Sequence, residues 1–343
     1  MALKAHNRTV TIGLFDSGVG GLSVLRRLSE LSSALSSYQF QFVYVGDTAR
    51  CPYGNRRFEE IAGFIAEIVS WLGSQQTDHI VMACNTSASI GSLFARQISP
   101  SPVHDLIAPS AFYASQKYRR IGVLATHATV ATRAFSQAVQ GHRPEAEVTE
   151  IACPALVPLV ESGQIDGLLA RQAVSAYTGQ LLAQKVEAII FGCTHFPFLE
   201  RTVRELVGEE IELIDPAQML LQDLICRLGG QLSEQPPLTS TLATELPVAS
   251  WQASTANTRF YVTGDPLSFA EAGNICLGKT DQYTLQPENI FQLSLEELSQ
   301  CTDLLQTIPQ SNQAQVAPSV VSITAASSRT GNSNVLSSWS ADL

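Results

Sequence analysis

Short apolar runs that stop at a small or acidic residue, each followed by a helical period, recur along most of the chain. "TVTIGLF" precedes "DSGVGGLSVLRRLSEL", "FQFVYVGD" precedes "RFEEIAGFIAEIVSWLGSQ", and "DHIVMAC" precedes "TSASIGSLFARQI". "RRIGVLAT" and "TRAFSQAVQ" repeat the pattern. "VEAIIFGC" follows the helical "DGLLARQAVSAYTGQLLAQ", and "IELIDP" leads into "AQMLLQDLICRLGG". Continuous apolar runs rich in β-branched residues are strands buried on both faces. Their alternation with helices requires parallel sheets with helices on both sides. In such sheets ligands bind beyond the carboxyl ends of the strands.

At 343 residues the chain is long enough for two α/β domains. From about 231 to 257 the text turns Pro-, Ser- and Thr-rich and reads as a long surface loop. "RFYVTGDPLSFAEAGNICLG" then returns to strand, turn and helix. Beyond about 308 the chain is Ser-, Gln- and Asn-rich and is expected to be disordered.

Charge and cysteine usage narrow the function. With 21 basic and 31 acidic residues the net charge is −10, which argues against a nucleic-acid or anionic-membrane surface. No apolar run reaches the roughly 18 residues of a membrane span. The opening "MALKAHNRTV" lacks the apolar core of a signal peptide. Seven scattered cysteines without a C-x-x-C pair fit a reducing cytoplasm. Cys51, Cys153, Cys226, Cys276 and Cys301 read as small core residues.

Four stretches end strands and open turns or helices: "FDSGVGG", "GDTARCPYG", "ACNTSAS" and "GCTHFP". The carboxyl-end rule gathers Asp16, Ser17, Tyr53, Asn85, Thr86, Thr194 and His195 around one crevice. "DSGVGG" lacks the G-x-G-x-x-G spacing, and Asp16 would repel a phosphate, so a dinucleotide site is not expected. Cys84 and Cys193 each sit just past a strand with a threonine close by. Neither has a second Cys or His at ligand spacing, so no metal is expected. A Cys–His hydrolase accounts for one cysteine. Proton transfer on opposite faces of one carbon accounts for both. That chemistry requires a thiolate, and a helix N-terminus after Cys84, with Thr86 or Ser87 as its cap, is expected to lower that thiol toward about 7. Pyridoxal phosphate is not expected, because Lys4, Lys117, Lys185 and Lys279 all lie outside the four stretches.

At these residues the sequence resembles the glutamate racemases of the cofactor-independent aspartate/glutamate racemase superfamily. "IGLFDSGVGGLSVLRRL", "YVGDTARCPYG", "VMACNTSAS", "CPALVPLVESG", "IIFGCTHFPFLE" and "LIDPA" occur in the family's order, from about Thr9 to Asp223. The match resumes at "RFYVTGDPLSFA". The resemblance implies two similar α/β domains with mainly parallel sheets and a site in the cleft. With the chain crossing over and returning, the first domain is expected at 9–107 plus 216–280 and the second at 108–215, with 281–343 a C-terminal extension. It implies Cys84 and Cys193 as the proton-transfer pair, assisted by Asp16, Glu161 and His195. It implies substrate contacts from Asp16, Ser17, Tyr53, Gly54, Asn85, Thr86, Thr194 and His195. The implied reaction interconverts L- and D-glutamate without cofactor, supplying D-glutamate for peptidoglycan in the cytoplasm. Elementary chemistry agrees: backbone N–H groups at Gly54 and after Cys84 suit carboxylates, and Asp16 suits an ammonium. Partner expectations are the small-molecule substrate, a homodimer, and secondary binding to DNA gyrase, with no nucleic acid or membrane. A relative acting on aspartate is the nearest alternative. Cys51 stands where the family has an aliphatic residue, and Phe196 where a tyrosine is commoner.

Overall fold

The computed structural model describes residues 8–229, 257–277 and 284–303. The loop expected from 231 to 257, all but its last residue, and the tail beyond 308 lie outside them.

Among the described residues ten strands form two sheets. The first holds β1 (Arg8–Asp16), β2 (Tyr38–Gly46), β3 (His79–Met82), β4 (Val103–Asp105), β9 (Thr258–Val262) and β10 (Ile290–Gln292). The second holds β5 (Arg120–Ala125), β6 (Glu147–Ala152), β7 (Ala188–Gly192) and β8 (Glu212–Ile214). The strand orders are β10-β9-β2-β1-β3-β4 and β6-β5-β7-β8. Every pairing is parallel. The order β2-β1-β3-β4 matches β6-β5-β7-β8, so the two sheets share one topology, and β9 and β10 widen the first.

Helices occupy the connections. They are α1 (Leu22–Leu28), α2 (Leu31–Ala34), α3 (Phe58–Ser74), α4 (Asn85–Ile98), α5 (Ile107–Lys117), α6 (His127–Thr132) and α7 (Ala134–His142). They continue as α8 (Leu156–Glu161), α9 (Gly167–Ala183), α10 (Glu200–Val207), α11 (Pro216–Leu228), α12 (Pro266–Leu277) and α13 (Leu295–Asp303). None is long and apolar enough among the described residues to cross a membrane.

The central strands are buried on both faces, as their unbroken apolar text requires: all of β7 and the last five residues of β1 and of β5 are buried. Pleating sends neighbours to opposite sides. Leu14 and Phe191 join one apolar cluster while Phe15 and Ile190 join another, and each cluster runs across both sheets. The halves therefore share their cores. Ile290–Gln292, in the segment read as extension, pairs with β9 as an edge strand of the first sheet.

Candidate active site

The carboxyl ends of the strands carry the polar groups. β1 ends at Asp16, which is buried and accepts from the Gly18 N–H at 2.7 Å. The Thr194 hydroxyl, from beyond β7, donates to its other oxygen at 3.3 Å. The turn after Asp16 runs so close to its neighbours that only glycine fits. A Cβ on Gly20 would lie 2.4 Å from Thr194 Oγ1 and 2.6 Å from the His195 ring. One on Gly21 would lie 2.6 Å from Asp16 Cβ and 2.8 Å from the Tyr44 hydroxyl. That hydroxyl donates to the Gly18 carbonyl at 3.0 Å and fixes the turn from behind.

Cys84 leaves β3 in extended conformation and is itself the N-cap of α4. Its buried sulfur lies 3.8 Å from the Ser17 hydroxyl. Neither Thr86 nor Ser87 caps the helix. Ser87 Oγ donates back to the Cys84 carbonyl at 3.0 Å, and Thr86 Oγ1 meets Thr126 Oγ1 at 3.0 Å. The expected lowering of the thiol is reversed. Burial, with the nearby Asp16 charge, pushes it up to about 12 against hydrogen bonds from Ser17 and Ser87. A helix N-terminus contributes up to about 2 kcal/mol, and full desolvation of a thiolate outweighs it. Cys84 is therefore a neutral thiol at neutral pH. Beside it Asn85 is 2% exposed, and among the described residues neither its amide oxygen nor its nitrogen has a hydrogen-bond partner. A buried amide without partners is costly unless a ligand completes it.

Cys193 follows β7 and faces a ring. His195 Nδ1 lies 3.7 Å from the Cys193 sulfur, and its Nε2 lies 3.2 Å from Glu161 Oε1 at the end of α8. Burial of His195 opposes its charged form. The hydrogen bonds to Cys193 and Glu161 together overcome that and hold the ring up to about 10. His195 is thus an imidazolium at neutral pH, between a sulfur and a carboxylate.

Both thiols open on one cavity of about 370 Å³, within the usual range for small ligands. Its walls come from the carboxyl ends of both sheets.

The family model for Asp/Glu/Hydantoin racemases matches residues 12–224, the stretch that builds this cavity. The chain belongs to this family. Among this racemase's relatives, a glutamate racemase of Synechococcus sp. (strain CC9605) is 40% identical over 277 residues, covering 80% of this chain and 97% of that protein. One from Gloeobacter violaceus is 36% identical, covering 77% of this chain and 91% of that one. The solved glutamate racemase of Francisella tularensis, in complex with D-glutamate, superposes with a TM-score of 0.67 at 27% identity. It covers 85% of this chain and 98% of its own. The Thermus thermophilus glutamate racemase, solved with β-chloro-D-alanine, gives 0.66 at 30% identity, covering 86% of this chain and 100% of its own.

In this racemase Ser17, Tyr53, Gly54, Cys84, Asn85, Thr86, Glu161, Cys193, Thr194 and His195 all line the cavity. Asp16 is not in the wall but directly behind it, bonded to Thr194. The Tyr53 hydroxyl is committed elsewhere: it donates to the fully buried Asp47. Asp47 also accepts from Arg50 Nε at 2.7 Å and from Thr263 Oγ1 at 2.8 Å, so one carboxylate holds the turn carrying Tyr53 and Gly54. Cys51, within the "GDTARCPYG" stretch, faces the cavity, and so does Cys153, which is buried in the apolar core as its sequence reading expects. Thr126, His127 and Val157 are among the wall residues that the four stretches omit. The carboxyl-end rule applied to β5 and β6 finds Thr126 and Cys153, because each follows its strand directly. Among the described residues no group of three or more His, Cys, Asp or Glu is placed to hold a metal ion.

Proposed function

We propose that the chain interconverts L- and D-glutamate by proton transfer between Cys84 and Cys193 on opposite faces of the α-carbon, without a cofactor. The single observation that carries this is two buried thiols, from the carboxyl ends of two topologically matched sheets, opening on one ligand-sized cavity. The names of the relatives support glutamate as the substrate.

The chemistry follows from the groups present. One sulfur, as thiolate, takes the α-proton, and the electron pair stays on the substrate as a carbanion delocalised into its carboxylate. The opposite thiol gives its proton to the other face. The first sulfur ends as thiol and the second as thiolate. Cys84, held neutral by burial, is poised as the donor. On the other side the His195 imidazolium faces the Cys193 sulfur and supplies positive charge where a thiolate is needed. The unpartnered Asn85 amide and the backbone N–H groups at the start of α4 suit a substrate carboxylate. Asp16, behind Thr194, supplies negative charge toward the ammonium. A role in supplying D-glutamate for peptidoglycan in the cytoplasm goes with this reading, and so does the two-domain division at 9–107 plus 216–280 and 108–215.

Purified protein incubated with L-glutamate, and separately with L-aspartate, tests the proposal by chiral chromatography. D-glutamate formation faster than D-aspartate formation is expected. Faster aspartate turnover, or no D-glutamate, would contradict it. Alanine at either cysteine is expected to slow racemisation by at least about 10²–10⁴-fold, the usual contribution of a positioned acid or base.

A further inference from the structure

The turn that carries Cys193 lacks a donor of its own. The residues after Cys193 wind into a 3-10 turn, Phe196–Leu199. In such a turn each carbonyl accepts from the N–H three residues on. Phe196 N donates to the Cys193 carbonyl at 3.1 Å, and Phe198 N to the His195 carbonyl at 3.2 Å. Between them the Thr194 carbonyl would accept from residue 197, which is proline and has no N–H.

A donor arrives from the other sheet. Ser23, in the first turn of α1, places its hydroxyl 3.0 Å from the Thr194 carbonyl and 2.8 Å from the Gly20 carbonyl. A hydroxyl has one proton, so the two carbonyls share it. The approach is possible because Gly20 has no side chain to displace Thr194 and His195.

We propose that Ser23 is a positioning residue for the Cys193–Thr194–His195 turn, its hydroxyl replacing across the cleft the N–H that Pro197 lacks. Ser23 lies outside the cavity wall and touches no reacting atom. It acts through the Thr194 carbonyl on the two residues flanking it, and so on the Cys193–His195–Glu161 line. A donor borrowed from the other sheet is in place only while the sheets hold this separation, so the catalytic turn is set by the assembled cleft.

The inference rests on the racemase reading, and two readouts keep their failures apart. Steady-state racemisation by Ser23→Ala should show kcat lower by about tenfold, the effect of losing a hydrogen bond worth about 1.4 kcal/mol, with KM nearly unchanged. Ser23→Thr keeps the hydroxyl and should retain activity. The double variant Ser23→Ala/Pro197→Ala restores an N–H in the turn itself and should recover most of the loss. The second readout needs no turnover: NMR titration of the His195 ring in the empty protein. Ser23→Ala should lower that titration, because a loosened turn lengthens the contacts to Cys193 and Glu161, and the double variant should raise it again. Unchanged kcat and ring titration in Ser23→Ala would overturn the inference. So would a loss that Pro197→Ala does not repair, since that marks a general packing defect. A wild-type protein that does not racemise glutamate, yet shows the ring shift and its repair, would sink the racemase reading and leave this one standing.

Discussion

At the residue scale the site is built from groups that fix one another's charge. Burial alone would strip His195 of its proton, and the contacts at 3.7 Å to Cys193 and 3.2 Å to Glu161 keep it on. A His held above its ordinary value stabilises the fold fully below about 6.5, and that contribution is lost as pH rises through about 10. Glu161→Gln removes one of the two contacts. It should move the alkaline limb of the pH–rate profile to lower pH and slow turnover by about tenfold or more, read by chiral assay across pH. An unmoved limb would mean that Glu161 does not act through the ring. Cys84 shows the opposite balance, since burial and Asp16 together exceed what Ser17, Ser87 and the helix end provide. Cys84, Cys193 and His195 were legible in the sequence, because they lie just past strands, whereas Glu161, at the end of α8, was implied only by the family resemblance. Their protonation was not: the sequence shows that α4 starts after Cys84, but not that the residue is only 5% exposed.

At the element scale the turns between strands and helices are held by single buried groups. Asp47 ties Arg50, Tyr53 and Thr263, joining the turn after β2 to the end of β9. Asp47→Ala leaves a nearly buried guanidinium short of its partner and should cost about 3–5 kcal/mol, measured by urea unfolding. It should also raise KM, because the Tyr53–Gly54 wall loses its anchor. A loss below about 1 kcal/mol would show that Glu67, the other acid paired with Arg50, suffices. The β3–β4 pair carries a second such device. His79 and His104 approach at 3.1 Å, and the pair is neutral. Burial lowers both; the charge on Arg8 adds to this at His79 against Asp78, and His79, Arg227 and Arg96 add to it at His104, which falls to about 3. The unfolded chain binds more protons between about 3 and 6.5, so stability falls on acidification through that window. His104→Gln should flatten this loss by up to about 1.4 kcal/mol per pH unit in thermal melts between pH 6.5 and 4. Equal slopes would exclude the pair as its cause. Long buried strands such as β1 and β7 were legible from text alone. β4 and β10, at three residues each, are too short to show a period, and β6, half-exposed at a sheet edge with polar residues at 147, 149 and 150, shows neither a continuous apolar run nor strict alternation. The helix read over "TRAFSQAVQ" is α7; the short α6 before it went unread, and the two are separated at Arg133 in a left-handed conformation that local composition does not announce.

At the scale of the whole molecule, two sheets of matched strand order face one cavity, and each contributes one thiol from the position after its third strand. The match between Cys84 after β3 and Cys193 after β7 is what makes a two-sided reaction natural on this architecture. The alternation of strands and helices made the sheets legible, and the paired Cys–Thr contexts pointed to the crevice. What stayed hidden is what the second sheet adds at β5 and β6, because Thr126 and Cys153 carry no signal apart from their place. The measurement that bears most directly on the two-thiol claim is the isotope content of both enantiomers in the first few per cent of turnover of L-glutamate in deuterated water. Opposed thiols predict D-glutamate carrying deuterium at the α-carbon in essentially every molecule, while the remaining L-glutamate stays unlabelled. D-glutamate that retains the original proton, or L-glutamate that exchanges as fast as product forms, would mean that a single base serves both faces.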